Sequence, residues 1–292
     1  MDPVALVRAH GLVAPRSLLL DAGATPWQIE KALTDRRLFR VRRAWYAVPD
    51  APADLVRAVR VGGSLTAVSA AGRAGLWTID DGLLHVSVPR NAARLRSPDD
   101  RRTPLGDDSD RVCVHWRRVP GATTRLIEPL PSALIHALEC QPEEHAIALL
   151  DSAMDKGLVT RRELEIAFGD LAPRYRDALS RADGRAQSGT ETLVRLRLRA
   201  RGIRVRIQVE VGPDRVDLLV GERLVIECLS REHHTGVENY ARDRSRELRM
   251  VDGGYLQLTL SYEQVMFQWP EVERVILRRL ADRDHLWPRT RS

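Results

Sequence analysis

Lysine is nearly missing from this chain. Lys31 and Lys156 are the only two, so almost all of the positive charge is carried by arginine. Arginine suits bidentate contact with phosphate, although heavy use of arginine and alanine together points first to a GC-rich coding sequence. Cysteine is scarce as well. Cys113, Cys140 and Cys228 are odd in number and far apart, which indicates neither a disulfide framework nor a zinc site. No run approaches the roughly 18 apolar residues that a membrane span needs, and the start of the chain lacks a secretory pattern. A cytoplasmic protein with no membrane partner is therefore expected.

The rest of the composition is ordinary for a folded chain. At 292 residues, 43% hydrophobic and 29% charged, it has room for two or three domains with a sizeable core. A formal net charge of +6 and a pI near 9.7 favour an anionic partner such as nucleic acid.

The most informative stretch runs from Val216 to Ser230. Two apolar, β-type runs flank Gly221-Glu222 and predict a pair of strands joined by a tight turn. Each strand carries one acid, Asp217 early in the first and Glu227 late in the second. Folding the strands back about the turn brings both carboxylates to one end of the sheet. A lone acid among Val, Leu and Ile is costly to bury ionised. These two either reach solvent at the strand ends or hold a hard divalent cation, for which Mg²⁺ is the natural choice.

Further residues extend this pattern: Ser188-Gly189-Thr190-Glu191, His233-His234, Arg242-Asp243-Arg244, and Tyr262 to Met266 with Trp269-Pro270. In this order, over about residues 188–280, the chain resembles the PD-(D/E)XK nucleases. More specifically, it is similar to an uncharacterised bacterial family related to the very-short-patch-repair endonuclease. The resemblance implies a restriction-endonuclease-like mixed sheet flanked by helices. It also implies Asp217 and Glu227 as ligands of Mg²⁺ or Mn²⁺, with Glu191 as an auxiliary acid. His233 and His234 would serve acid–base work or contact with the substrate phosphate, or else belong to a surface loop. Two departures stand out. The family continues Ile-Glu-x-Asp-Gly, so Leu229 occupies the third catalytic position, and Thr259 stands where relatives carry Arg.

The first fifty residues predict short helices over Val4 to Ala9 and Pro15 to Asp21. A third opens at Thr25-Pro26-Trp27-Gln28, where Pro26 takes the first helical position and Thr25 with Gln28 forms a capping box. Ile29, Ala32 and Leu33 are its expected buried stripe. A basic hairpin over Leu38 to Val48 comes next. Helices around a Gly turn and then a basic hairpin describe a winged helix-turn-helix. The order also resembles the amino-terminal region of AbiEi-type antitoxins, which implies a cognate toxin or regulatory partner. Double-stranded DNA would be met by Gln28, Lys31 and Arg36 from the third helix and by Arg40, Arg42 and Arg43 from the wing. A basic interaction module with a solvated wing is the other reading of the same residues.

Beyond Pro49-Asp50-Ala51-Pro52 come a helix over Ala53 to Val61, a small-residue segment over Ser64 to Gly72, and strands at Leu83 to Pro89 and Arg111 to Trp116. Asn91 to Asp110 reads as a mobile loop. His85 and His115 lie on those strands without an acid or Cys at ligand spacing, so a structural role is expected for both. Further helices are expected at Pro131 to Cys140, Glu143 to Lys156, from a Thr160–Glu163 capping box, and at Arg174 to Ala182. No catalytic constellation is expected between residues 50 and 185.

Arg195-Leu196-Arg197-Leu198-Arg199 alternates like a strand, but Ser188 upstream and Gly202 downstream predict a helix. Arg242, Arg244, Arg246 and Arg249 spread over more than one face of a later helix, most of them expected in solvent. The expected architecture is α/β (α+β): a winged helix-turn-helix over residues 1–50, a mixed α/β spacer over 51–185, and an endonuclease-like domain over 186–292. The function implied is Mg²⁺-dependent hydrolysis of DNA phosphodiester bonds. The alternative is a catalytically degenerate, antitoxin-like regulator that binds DNA without cleaving it.

Overall fold

The computed structural model describes residues 1–106, 111–116, 124–229 and 237–288, with the backbone alone described for 237–243. The chain divides into two compact units. The first comprises Met1–Gly75 with Ile79–Cys140, and the second Leu76–Thr78 with Gln141–Ser292. Both mix helices with small sheets.

The first unit begins α1 (Pro3–Ala9), β1 (Val13–Pro15), α2 (Arg16–Asp21), α3 (Pro26–Thr34), β2 (Phe39–Arg42) and β3 (Trp45–Ala47). The strands form a sheet of order β1-β3-β2, antiparallel throughout. The Thr25–Gln28 capping box is formed in both directions, Thr25 Oγ1 accepting from Gln28 N and Gln28 Oε1 from Thr25 N. Ile29 and Ala32 are buried with Val7, Leu19, Leu38 and Tyr46. β1 is the element that composition did not announce. Its three residues complete the hairpin's sheet.

α4 (Ala53–Val61), β4 (Ser64–Leu65), α5 (Ala67–Arg73), β5 (Leu84–Val88), β6 (Val112–Trp116) and α6 (Leu130–Cys140) finish this unit. β4 is antiparallel and β6 parallel to β5. One core runs from Val13, Val41 and Ala47 through Leu55, Val59 and Leu65 to Val86 and Ala133. Residues 1–50 therefore share a core with the remainder of the first unit.

The second unit opens with α7 (Glu143–Asp155), α8 (Arg161–Phe168) and α9 (Pro173–Arg181), so the segment 51–185 is divided between the two units. α10 (Gly189–Ala200) is a helix despite its alternating sequence. Ser188 caps it by accepting from Glu191 N, and Gly202, at φ +75°, carries the chain out. Its arginines explain the alternation, since each has its own partner. Arg195 is fully buried against Asp151 of α7, with Nη2–Oδ2 at 2.6 Å. Thr192 Oγ1 and Asp183 N also donate to that carboxylate. Arg197 forks onto Glu144, and Arg199 donates to the Val205 carbonyl. Gly189 is required because a Cβ there would collide with the Trp77 indole.

β7 (Val205–Val211), β8 (Asp214–Val220), β9 (Leu224–Cys228), α11 (Val237–Asp252), β10 (Leu256–Leu260), α12 (Tyr262–Phe267) and α13 (Trp269–Ala281) complete the unit. The sheet order is β10-β9-β8-β7, antiparallel except for β10 beside β9. One core joins Leu218, Val220, Leu224 and Ile226 to α10, α12 and α13, through Leu193, Val194, Leu198, Val265 and Ile276. A second, smaller core joins Val211, Val216, Leu219 and Val225 to Met250 of α11.

Removing one member of a fully buried ion pair strands the other charge without water, at a cost of about 3–5 kcal/mol. Asp151→Ala is therefore expected to lose about that much in urea unfolding, the range for buried pairs. A loss under about 1 kcal/mol, the range of surface pairs, would show that this pair does not hold α10 to α7.

Candidate functional site

Asp217 and Glu227 meet because the β8–β9 register brings them level. Leu218 is paired with Ile226, and the next step outward faces Asp217 with Glu227. There the ladder gives way to a side chain, as Asp217 Oδ2 accepts from Cys228 N at 2.9 Å. Gly221 at φ +64° starts the turn, which extends through Arg223 before β9 begins.

Glu191 reaches the same place from the first turn of α10. Its Oε2 accepts from Gln208 Nε2 at 2.9 Å and from Gln187 N at 3.1 Å. Gln208 lies in the middle of β7 at φ +52°, a conformation that non-glycine residues seldom adopt and that concentrates at functional sites. Around Gln208 and Asp217 the strand pair changes faces. Ile207 and Leu218 belong to the α10 core, whereas Val209 and Val216 pack with Met250. The kink aims Gln208 at Glu191.

All three acids are pushed above their ordinary range. Burial, then the charge of Asp217, raises Glu191 to about 7 and Glu227 to about 8. Burial also raises Asp217, opposed by the Cys228 N–H and by Arg246. Arg246 of α11 lies against Glu227, Nη2–Oε1 2.7 Å, and its neighbour Arg249 forks onto Asp214. Two of the helix arginines expected in solvent thus pair with acids of the sheet. Hard oxygen donors short of positive charge suit a divalent cation of the Mg²⁺ class. Asp217 and Glu227 are the residues that would hold it, with Arg246 as the competing cation.

Leu229 is 43% exposed and donates its N–H to the Leu260 carbonyl, so no charged side chain stands at that position. Thr259 lies directly beside Glu227 in the β9–β10 register. His233 and His234 lie outside the described residues.

In the first unit, Lys31 is exposed on α3, its ammonium 5.7 Å from the centre of the Trp27 ring. Trp27 is itself 70% exposed. Gln28 is half-buried and engaged in the cap. Arg36 is exposed just past the end of α3, and Arg43 is exposed in the β2–β3 turn. Arg40 pairs with Glu30. Arg42, expected to face phosphate, instead turns inward. It donates to the Val59 carbonyl, and burial followed by the charge of Arg96 lowers its pKa.

One constellation contradicts expectation. Spacing along the chain gives His85 and His115 no Cys partner, yet the fold gathers them with Cys113 and Cys140. Their two imidazole nitrogens and two thiol sulfurs all lie within 4.8 Å of one another. Cys113-Val114-His115 is the signal in the sequence, since residues two apart on a strand share a face. Cys140, 25 positions downstream of His115, carries no such mark.

No family model and no curated protein sequence matches the chain.

The raised carboxyl groups fix a sign. A folded state that holds protons on Glu191 and Glu227 up to about pH 7 and 8 is favoured by them fully below the ordinary glutamate pKa. That contribution is lost as pH rises through 7 to 8. Glu191→Gln and Glu227→Gln are expected to raise Tm at pH 8.5, relative to wild type, in the absence of divalent ions. Stabilisation of the wild type by Mn²⁺ is expected to be greater at pH 8.5 than at pH 6, because the ion displaces those protons. Differential scanning fluorimetry at both pH values tests this, and a Mn²⁺ shift that ignores pH would count against ligation by these acids.

Proposed function

We propose that the chain is a DNA-binding protein whose second unit is an endonuclease-like domain, acting on phosphodiester bonds with Mg²⁺ or Mn²⁺. The observation that carries this reading is the convergence of buried Glu191 and Glu227 with half-buried Asp217 at one kinked point of a mixed sheet. Purely structural acids would be matched by cations or left in water. Against these three stands the guanidinium of Arg246, paired with Glu227. A bound divalent ion would activate water and neutralise charge developing on the phosphate. Asp217 and Glu227 would anchor it. Glu191, held by Gln208 and the α10 cap, would be positioned to accept a proton near neutral pH.

The first unit supports a winged helix-turn-helix. The order α1-β1-α2-α3-β2-β3 places the exposed Trp27 and Lys31 on the helix that would enter the major groove, with Arg43 at the tip of the wing. Double-stranded DNA is the partner this surface suits.

A second reading has its own support. Leu229 offers no charge at the third catalytic position, and Arg246 already compensates Glu227. On that basis the unit would be a degenerate nuclease fold in a regulator of the antitoxin type, which binds DNA without cutting it.

Incubating supercoiled, linear and mismatched DNA with Mg²⁺ or Mn²⁺ distinguishes the two. Nicking by the wild type, reduced by about 10²-fold or more in Asp217→Asn and Glu227→Gln, is the expected result, the scale seen when a preorganised charge is removed. Salt-dependent binding should weaken in Lys31→Ala and Arg43→Ala, with the salt slope falling by about 1 for each phosphate no longer neutralised. Binding without cleavage selects the regulator, and the absence of both overturns the DNA reading.

A further inference from the structure

We propose that the first unit carries a structural Zn²⁺ ion bound by His85, Cys113, His115 and Cys140, a site separate from the acids of the second unit. The fold builds it in two steps. β5 and β6 run parallel with His85 beside Cys113, and His115 lies two residues further on, so three ligands share one face of the strand pair. α6 then brings its last residue, Cys140, to the same point.

The spacing fits a tetrahedron. With Zn–N at about 2.0–2.1 Å and Zn–S at about 2.3 Å, its edges should measure about 3.3 Å between nitrogens and about 3.5 Å between nitrogen and sulfur. His85 Nδ1 and His115 Nε2 are 3.3 Å apart. Cys113 Sγ is 3.4 Å from His115 Nε2, and Cys140 Sγ is 3.6 Å from His85 Nδ1.

The outer nitrogens make the same point independently. His85 Nε2 lies 3.0 Å from Asp81 Oδ2, and His115 Nδ1 lies 3.9 Å from Glu139 Oε2. On the nitrogen turned away from the cluster His85 thus has a carboxylate at hydrogen-bond distance, as oriented metal-bound histidines do, and His115 has one close by. A proton held on each outer nitrogen leaves lone pairs on the two inner ones, facing each other at 3.3 Å. Cys113 and Cys140 could each offer a thiol proton to one of these nitrogens, but an S–H is only a weak donor. A single cation answers all four donors together.

Two thiolates and two neutral imidazoles balance the charge of a divalent ion. Their mixed softness and four-fold geometry select zinc over the oxygen-seeking Mg²⁺ or Ca²⁺. With every position filled by protein, the ion would be structural. It would tie the end of α6 to β5 and β6, and His136 stacked on His115 at 4.9 Å closes the cluster along the same helix. A cavity of about 640 Å³, lined by Arg90, Trp116 and Glu139 with Cys113, His115 and Cys140, gives the ion a way in.

The test uses the full chain purified under reducing conditions. Elemental analysis is expected to find about one zinc per chain, matching the single four-donor site. Exchange into Co²⁺ should give the strong visible bands of a tetrahedral site and a near-ultraviolet thiolate charge-transfer band. Cys113→Ser and Cys140→Ser should each halve that band or abolish binding, whereas Cys228→Ala should leave it unchanged. Should the serine variants fail to fold, zinc content and the cobalt spectrum of the wild type decide the matter. A chain that neither retains nor takes up zinc, a Cys113–Cys140 disulfide in its place, or stoichiometric iron, nickel or copper would each overturn the assignment.

Discussion

A guanidinium with no exposure to water is tolerable only where partners are arranged for it, and in the second unit that constraint is Arg195, whose Nη1 and Nη2 meet the Arg181 carbonyl and Asp151. Its partner Asp151 is equally buried and is held by Thr192 and by the Asp183 amide. The pair fixes α10 against α7, and α10 in turn presents Glu191 to the sheet one turn before Arg195. The depth at which Glu191 sits, and hence the elevation of its pKa, comes from that anchorage. Replacing such a pair with apolar groups can be neutral or stabilising in proteins generally. Its value here lies in holding α10 in place against α7.

The local grammar of the chain is readable. The capping boxes at Thr25 and Thr160, the helix hidden under the alternating arginines, and the acids brought level about Gly221 all come from spacing and turn chemistry. Four things are not. The kink at Gln208 depends on a backbone conformation that glutamine does not advertise. The inward turn of Arg42 is decided by the Val59 carbonyl, contributed by a helix whose packing the sequence pattern leaves open. The approach of Cys140 to His85 depends on how α6 lies against a parallel strand pair, a long-range fact with no local trace. Burial of Asp151 beside Arg195 is of the same kind, since neither residue is conspicuous on its own helix.

The two units solve opposite electrostatic problems. In the second, hard carboxylates are crowded until they keep their protons, and Arg246 relieves Asp217 and Glu227 only in part. In the first, soft and neutral donors point inward, while Asp81 and Glu139 stand behind them. The former arrangement favours a weakly held, exchangeable ion and the latter a permanent one. A protein with both would respond differently to chelators of different strength.

The position of β7 at the outside of its sheet has a further consequence. An outer strand with a straight row of free amides and carbonyls invites another chain to add on, and natural proteins guard against this with charge and irregularity. β7 carries the exposed charges Arg206 and Glu210, and Gln208 at φ +52° interrupts the row between them. The distortion that brings an amide to Glu191 therefore also spoils the template for strand addition, so that one residue serves both the site and the solubility of the sheet.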